Sequence, residues 1–298
     1  MAVAVQTITD GGWATSIDPN VAITITKPAS LAVGDLMVAV LMHGGSSTGV
    51  TTVTATDWTN EFNTTQLQNH GIWFLYKVAT AGDVAASDFT FTTNHDGTGT
   101  GKIGGCILRI DGQAQATFEQ STGGTTSNAD SVNVSVGSLS LTPTYNNSLL
   151  ILAIGGANAE SGATTVSAQA INGTNPSWTE RIDISNVDGG DTVFSVSTGV
   201  LVTAAQITTL TATLSNLFND HYAAVLVIPP LLNASVTLDL ISLAGTPNAF
   251  TVTGAANVTL DQIALTATPN DVTAAEAVPK WSNVDKSSPS TFTNVDKS

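Results

Sequence analysis

One cysteine in 298 residues, Cys106, has no partner for an intrachain disulfide, so the stability of this chain owes nothing to an oxidising compartment. Cations are almost as scarce: eight Lys and Arg stand against 23 Asp and Glu, for a formal net charge of -15. Phosphate binding draws on clustered Lys and Arg. Residues 1–279 hold only five of them, Lys27, Lys77, Lys102, Arg109 and Arg181, which argues against nucleic acid as a partner. No uninterrupted apolar run approaches the ~20 residues needed to cross a bilayer. The start, Met1-Ala-Val-Ala-Val-Gln-Thr, lacks the basic opening and apolar core of a secretory signal. The expectation is a protein made in a cytoplasm, without a membrane partner.

Chemistry-bearing patterns are missing too. The four histidines, His43, His70, His95 and His221, are scattered, with no pair at metal-ligand spacing. Asp188-Gly-Gly-Asp191, after Asp183, lacks the alternating ligands of a calcium loop and reads as a hairpin turn. Asp220 precedes His221, but there is no Gly-x-Ser-x-Gly elbow to supply a nucleophile. Glu61 and Glu180, each shortly after a Trp, match as structural duplicates better than as a glycosidase pair. We therefore expect no enzyme activity, no cofactor and no metal.

What the chain does have is strand signal. Val21-Ala-Ile-Thr-Ile, Leu36-Met-Val-Ala-Val-Leu, Gly71-Ile-Trp-Phe-Leu-Tyr-Lys-Val, Phe89-Thr-Phe-Thr and Gly105-Cys-Ile-Leu-Arg-Ile are mostly bounded by Gly, Asn, Asp or Pro. This is the rhythm of a sandwich or barrel. Helical periodicity is confined to short stretches at 80–87, a turn more than a helix, and 203–209.

The landmarks of the first half return in the second. Trp58-Thr-Asn-Glu-Phe lies sixteen residues before Phe74, and Trp178-Thr-Glu-Arg-Ile sixteen before Phe194. Gly34-Asp-Leu-Met-Val-Ala-Val answers Asn147-Ser-Leu-Leu-Ile-Leu-Ala, and Gly105-Cys-Ile-Leu-Arg-Ile answers Ala223-Ala-Val-Leu-Val-Ile. The expected fold is all-β: two tandem jelly-roll-like β-sandwich domains, 1–118 and 131–230, joined by a polar linker at 119–130.

Beyond Pro229-Pro230 a shorter period takes over. Residues 236–252 and 258–274 agree at ten of seventeen positions, and Trp281-Ser-Asn-Val-Asp-Lys-Ser returns as Phe292-Thr-Asn-Val-Asp-Lys-Ser. Such short units are stabilised by stacking on neighbours or on other chains. Residues 231–278 are read as a 22-residue β-repeat and 279–298 as an extended anchoring tail. In that tail Trp281, Phe292, Lys286 and Lys297 are the candidate partner-binding residues. The aromatics serve either as anchors in a partner's pocket or as packing on the chain's own shaft.

This Lys-poor β body, with its Val-Thr repeats and closing Asn-Val-Asp-Lys-Ser units, resembles structural proteins of tailed bacteriophages: fibres, neck or tail appendages and capsid decorations. The resemblance implies a virion component made in the host cytoplasm, a homotrimer, and other virion proteins as partners. A carbohydrate-binding adhesin that recognises host-surface glycan through Trp13, Trp58, Trp73 or Trp178 is the alternative.

Overall fold

The computed structural model describes residues 4–16, 21–45, 50–64, 70–95, 101–110, 118, 120–159, 164–172, 176–187 and 191–230. They lie in one compact unit spanning Met1–Asn233. The repeats and tail, with Trp281, Lys286, Phe292 and Lys297, fall outside the described residues.

The described chain is all-β, in antiparallel sheets. Its first half contributes β1 (Val5–Ser16), β2 (Ala22–Thr26), β3 (Leu36–Gly45), β4 (Val50–Thr54), β5 (Thr59–Asn63), β6 (Gly71–Val78), β7 (Asp88–His95) and β8 (Gly101–Ile110). The second contributes β9 (Gln120–Val136), β10 (Ser148–Ala159), β11 (Val166–Ile171), β12 (Thr179–Asn186), β13 (Asp191–Leu201) and β14 (Leu210–Ile228). Residues 119–130, expected as a linker, belong to β9 from Gln120 onward. Their hydroxyl-rich composition suits a strand as well as a loop once β14 supplies the ladder.

Where 80–87 was read as a turn, the chain forms a single helix, α1 (Ala81–Ala85). Thr80 and Asp83 cap it reciprocally, each side chain bonding the other's backbone N–H. The Lys77 ammonium, 2.7 Å from Asp83, fixes the same corner. Burial alone would raise the Asp83 carboxyl, but Lys77 and Thr80 together hold it below its usual value. The short candidate stretch at 203–209 forms no helix; Ile207 bridges Leu141 instead.

Both halves follow one strand order. The first sheet runs β1-β8-β3-β6-β5, with β2-β7-β4 as a separate sheet. In the second half β14 is flanked by β9 and β10 at residues 220–227, and by β9 and β11 at 210–213. The order is thus β9-β14-β10-β13-β12 at one level and β9-β14-β11 at the other. Where the first half has the separate strands β1 and β2, and β7 and β8, the second has the single long strands β9 and β14. Register shifts around Phe218 mark a bend in β14. Even the bulges recur: Glu61 on β5 and Arg181 on β12, each three residues after a Trp, sit at a register shift.

Alternating residues of these strands feed three cores. Val21, Ile23, Ile25, Phe89 and Phe91 pack under Met37, Leu41, Trp73 and Ile107. Leu150, Leu152, Val225 and Val227 pack under Val134, Leu210, Leu214 and Phe218. The central core joins the halves: Val38, Val40, Met42, Phe74 and Leu108 from the first meet Ile151, Ala153, Phe194, Tyr222 and Leu226 from the second. Leu36 through Met42 are therefore buried on both faces, every residue at 0% exposure. This explains an uninterrupted apolar run where a half-exposed strand would alternate. Two self-contained domains joined end to end would not share a core in this way.

Candidate functional site

The face-to-face packing has the geometry of an internal two-fold. β1 approaches β12 and β5 approaches β9; β3 approaches β13 and β6 approaches β10. Each pair is the reciprocal of the other when the two halves exchange roles, as in an isologous dimer. Near the axis, equivalent residues meet. A Cβ built on Gly155 would lie 2.5 Å from Sδ of Met42, its counterpart in the repeat, so a long side chain on one sheet fills the space left by a glycine on the other.

One level along the strands the apolar core gives way to a polar seam, buried at Lys102, His70, Thr192 and Asp220, half-buried at Asn186 and exposed at Thr15. On the first sheet Thr15, Lys102 and Gly44 lie in register across β1, β8 and β3, with His70 just before β6. On the second sheet Asn186, Thr192, Ala157 and Asp220 lie in register across β12, β13, β10 and β14. The rows face one another. Lys102 Nζ donates to Asn186 Oδ1 at 2.8 Å, and Asn186 Nδ2 donates to Thr15 Oγ1 at 3.4 Å. A Cβ on Gly44 would press on Thr192 at 2.3 Å. His70 Nδ1 lies 4.0 Å from Asp220 Oδ2.

The His70 ring packs edge-on to Tyr222 and stacks on His43. Lys102 and Asp220 are both at 0% exposure. Aligning Gly105 with Ala223 makes them counterparts, one basic and one acidic residue, each met by a polar side chain of the other half. Buried charges are tolerated only where such partners exist.

The seam also disposes of the Asp220–His221 pairing considered from sequence. Neighbours on a strand point to opposite faces. Asp220 turns to the central core with Tyr222, while His221 turns away and hydrogen-bonds the Ser131 carbonyl at 3.0 Å. Burial lowers the His221 pKa, the Ser131 carbonyl and the Asp220 charge acting the other way. Burial also pushes the Tyr222 hydroxyl up, the Asp220 charge adding to it, and the fully buried Cys106 thiol up, with help from Asp10. Asp183, of the calcium-loop reading, accepts from the Val166 N–H at 2.9 Å. β12 and β13 pair as consecutive antiparallel strands, as a hairpin requires. No group of three or more His, Cys, Asp or Glu able to hold a metal ion occurs among the described residues.

The four tryptophans among the described residues serve the cores. Trp73 is fully buried, and Trp58 packs edge-on against Phe89 and Phe91. Trp13 lies over Gly104, and Trp178 over Gly199 with its Nε1 donating to the Gln169 carbonyl at 3.0 Å.

The outer face of β2-β7-β4 is lined by Thr24, Thr26, Thr90, Thr52 and Thr54, with Thr24 and Thr90 hydrogen-bonded at 3.0 Å. It is a hydroxyl-bearing face with little charge.

Sequence reasoning missed the seam because its members are far apart in the chain. Lys102, directly before the apolar run Ile103-Gly-Gly-Cys-Ile-Leu, was the one signal that could have pointed there. No helix among the described residues is long and apolar enough to cross a membrane. The chain matches no protein-family model, no curated protein and no solved structure.

Proposed function

We propose that this chain is a structural component of a tailed-phage virion, a capsid decoration or fibre-type appendage that acts in assembly, stabilisation or host-surface adhesion. The supporting observation is the strand order. Numbering the strands of the first half one to eight, the sheets run 1-8-3-6-5 and 2-7-4, an order that resembles the winding of a jelly roll except that strand five stays beside strand six, and the second half follows the same order with longer strands. Jelly rolls recur in viral shells and in lectins. The two halves share one core, and the helix among the described residues is only five residues long. The C-terminal repeats would then attach this body to other virion proteins or to two further copies of the chain.

Light scattering on the full 298-residue protein should report three chains. Antibody to the recombinant protein should decorate particles from a producing culture. Protein recovered solely outside the particles would sink the reading. The glycan-binding alternative gains nothing from Trp13, Trp58, Trp73 and Trp178, all packed on cores, so a glycan array should be blank.

A further inference from the structure

Lys102 is a fully buried amine whose nitrogen touches the side-chain amide of Asn186. We propose that Lys102 and Asn186 close into an intramolecular isopeptide bond, a covalent staple between the two halves of the body.

Three observations carry this. The first is proximity: Nζ is 2.8 Å from Oδ1, the oxygen bonded to the electrophilic carbon Cγ, so a small shift brings the nitrogen onto that carbon. Groups held at about 3–3.5 Å in this manner react as if at very high concentration. The second is burial. An ammonium out of water is disfavoured relative to the amine, the nucleophilic form, and Lys102 is fully buried while Asn186 is half-buried. The third is the surroundings of the amide. Thr15 Oγ1 lies 3.4 Å from Nδ2, the leaving nitrogen. Thr192 pairs with Asn186 in the register, and its buried hydroxyl has no hydrogen-bond partner.

The step balances without oxidant, reductant or cofactor. The Lys102 amine adds to Cγ, forming a C–N bond while the carbonyl electrons move onto Oδ1. The Thr192 hydroxyl is the donor available to that oxygen as charge develops. A proton passes from the attacking nitrogen to Nδ2, Thr15 Oγ1 being the relay. The Cγ–Nδ2 bond then breaks and ammonia departs. A primary amide and an amine become a secondary amide and ammonia. The product replaces a buried ionisable group with a neutral amide, which favours completion.

The proposal does not depend on the virion reading. The test is the intact mass of the purified full-length protein under denaturing conditions, with the initiator methionine accounted for. One ammonia should be missing from every chain. Trypsin should fail to cut after Lys102 and should release one branched species that joins the peptide ending at Arg109 to the peptide beginning at Ile182. Lys102→Met and Asn186→Ala should each restore the full sequence mass, and the wild-type mass decides even if a variant fails to fold. A folded wild-type protein of full sequence mass, cut normally after Lys102, overturns the proposal, as does an ammonia deficit that persists in Asn186→Ala.

Discussion

At the scale of single residues, the informative positions are those with no room and those with no water. A Cβ on Gly105 would stand 2.4 Å from the Val40 carbonyl oxygen, a backbone atom that the ladder holds in place. Gly105→Ala should therefore destabilise the protein by roughly 1–3 kcal/mol, as overpacking does, seen as a lower denaturation midpoint at unchanged slope. His221 offers a pH test. Its folded-state pKa is depressed below 6.5 by burial, so the unfolded chain takes up this proton first. The contribution to stability is whole above 6.5 and is lost as pH falls from there toward the folded value. His221→Gln should flatten that part of the stability profile, and an unchanged slope would count against the assignment. In the sequence His221 was only a neighbour of Asp220, because which face a residue takes depends on register, and a run buried on both sides gives no alternation to set it.

At the scale of elements, much was legible. Trp58 and Trp178 each introduce a strand, β5 and β12, and Phe74 and Phe194 each sit in the next, β6 and β13. The pattern was readable because turn residues and strand lengths are local. The bends of β9 and β14 were not, since a strand that changes neighbours part-way shows no break in composition. Phe218 sits at the bend of β14 and is 1% exposed. Phe218→Ala should cost about 3–5 kcal/mol, measured by thermal or chemical unfolding, and should loosen β11 and the start of β14 before other strands in hydrogen exchange. The α1 corner was called a turn because five residues cannot show a helical period. Its stability rests on the cap, so Thr80→Ala should cost about 1 kcal/mol.

For the whole molecule, the shared core is decisive. Sequence divided the chain at a polar stretch, and composition had no means of showing that the inner faces of two distant sheets cover one another. Because Phe74 and Phe194 lie in the same core, neither half has a finished surface without the other. Calorimetry on the full chain should record one cooperative transition for the body. Two separated transitions, each moved by substitutions in one half alone, would mean that the halves fold apart.

The meeting of Met42 with Gly155 has a last consequence. Two copies of the first half would bring methionine against methionine, and two copies of the second would leave a void, so like does not mate with like. First half fits second half, and it does so whether both belong to one polypeptide or to neighbours. Any pairing of halves between molecules would therefore have to use the same first-to-second complementarity that closes each molecule on itself.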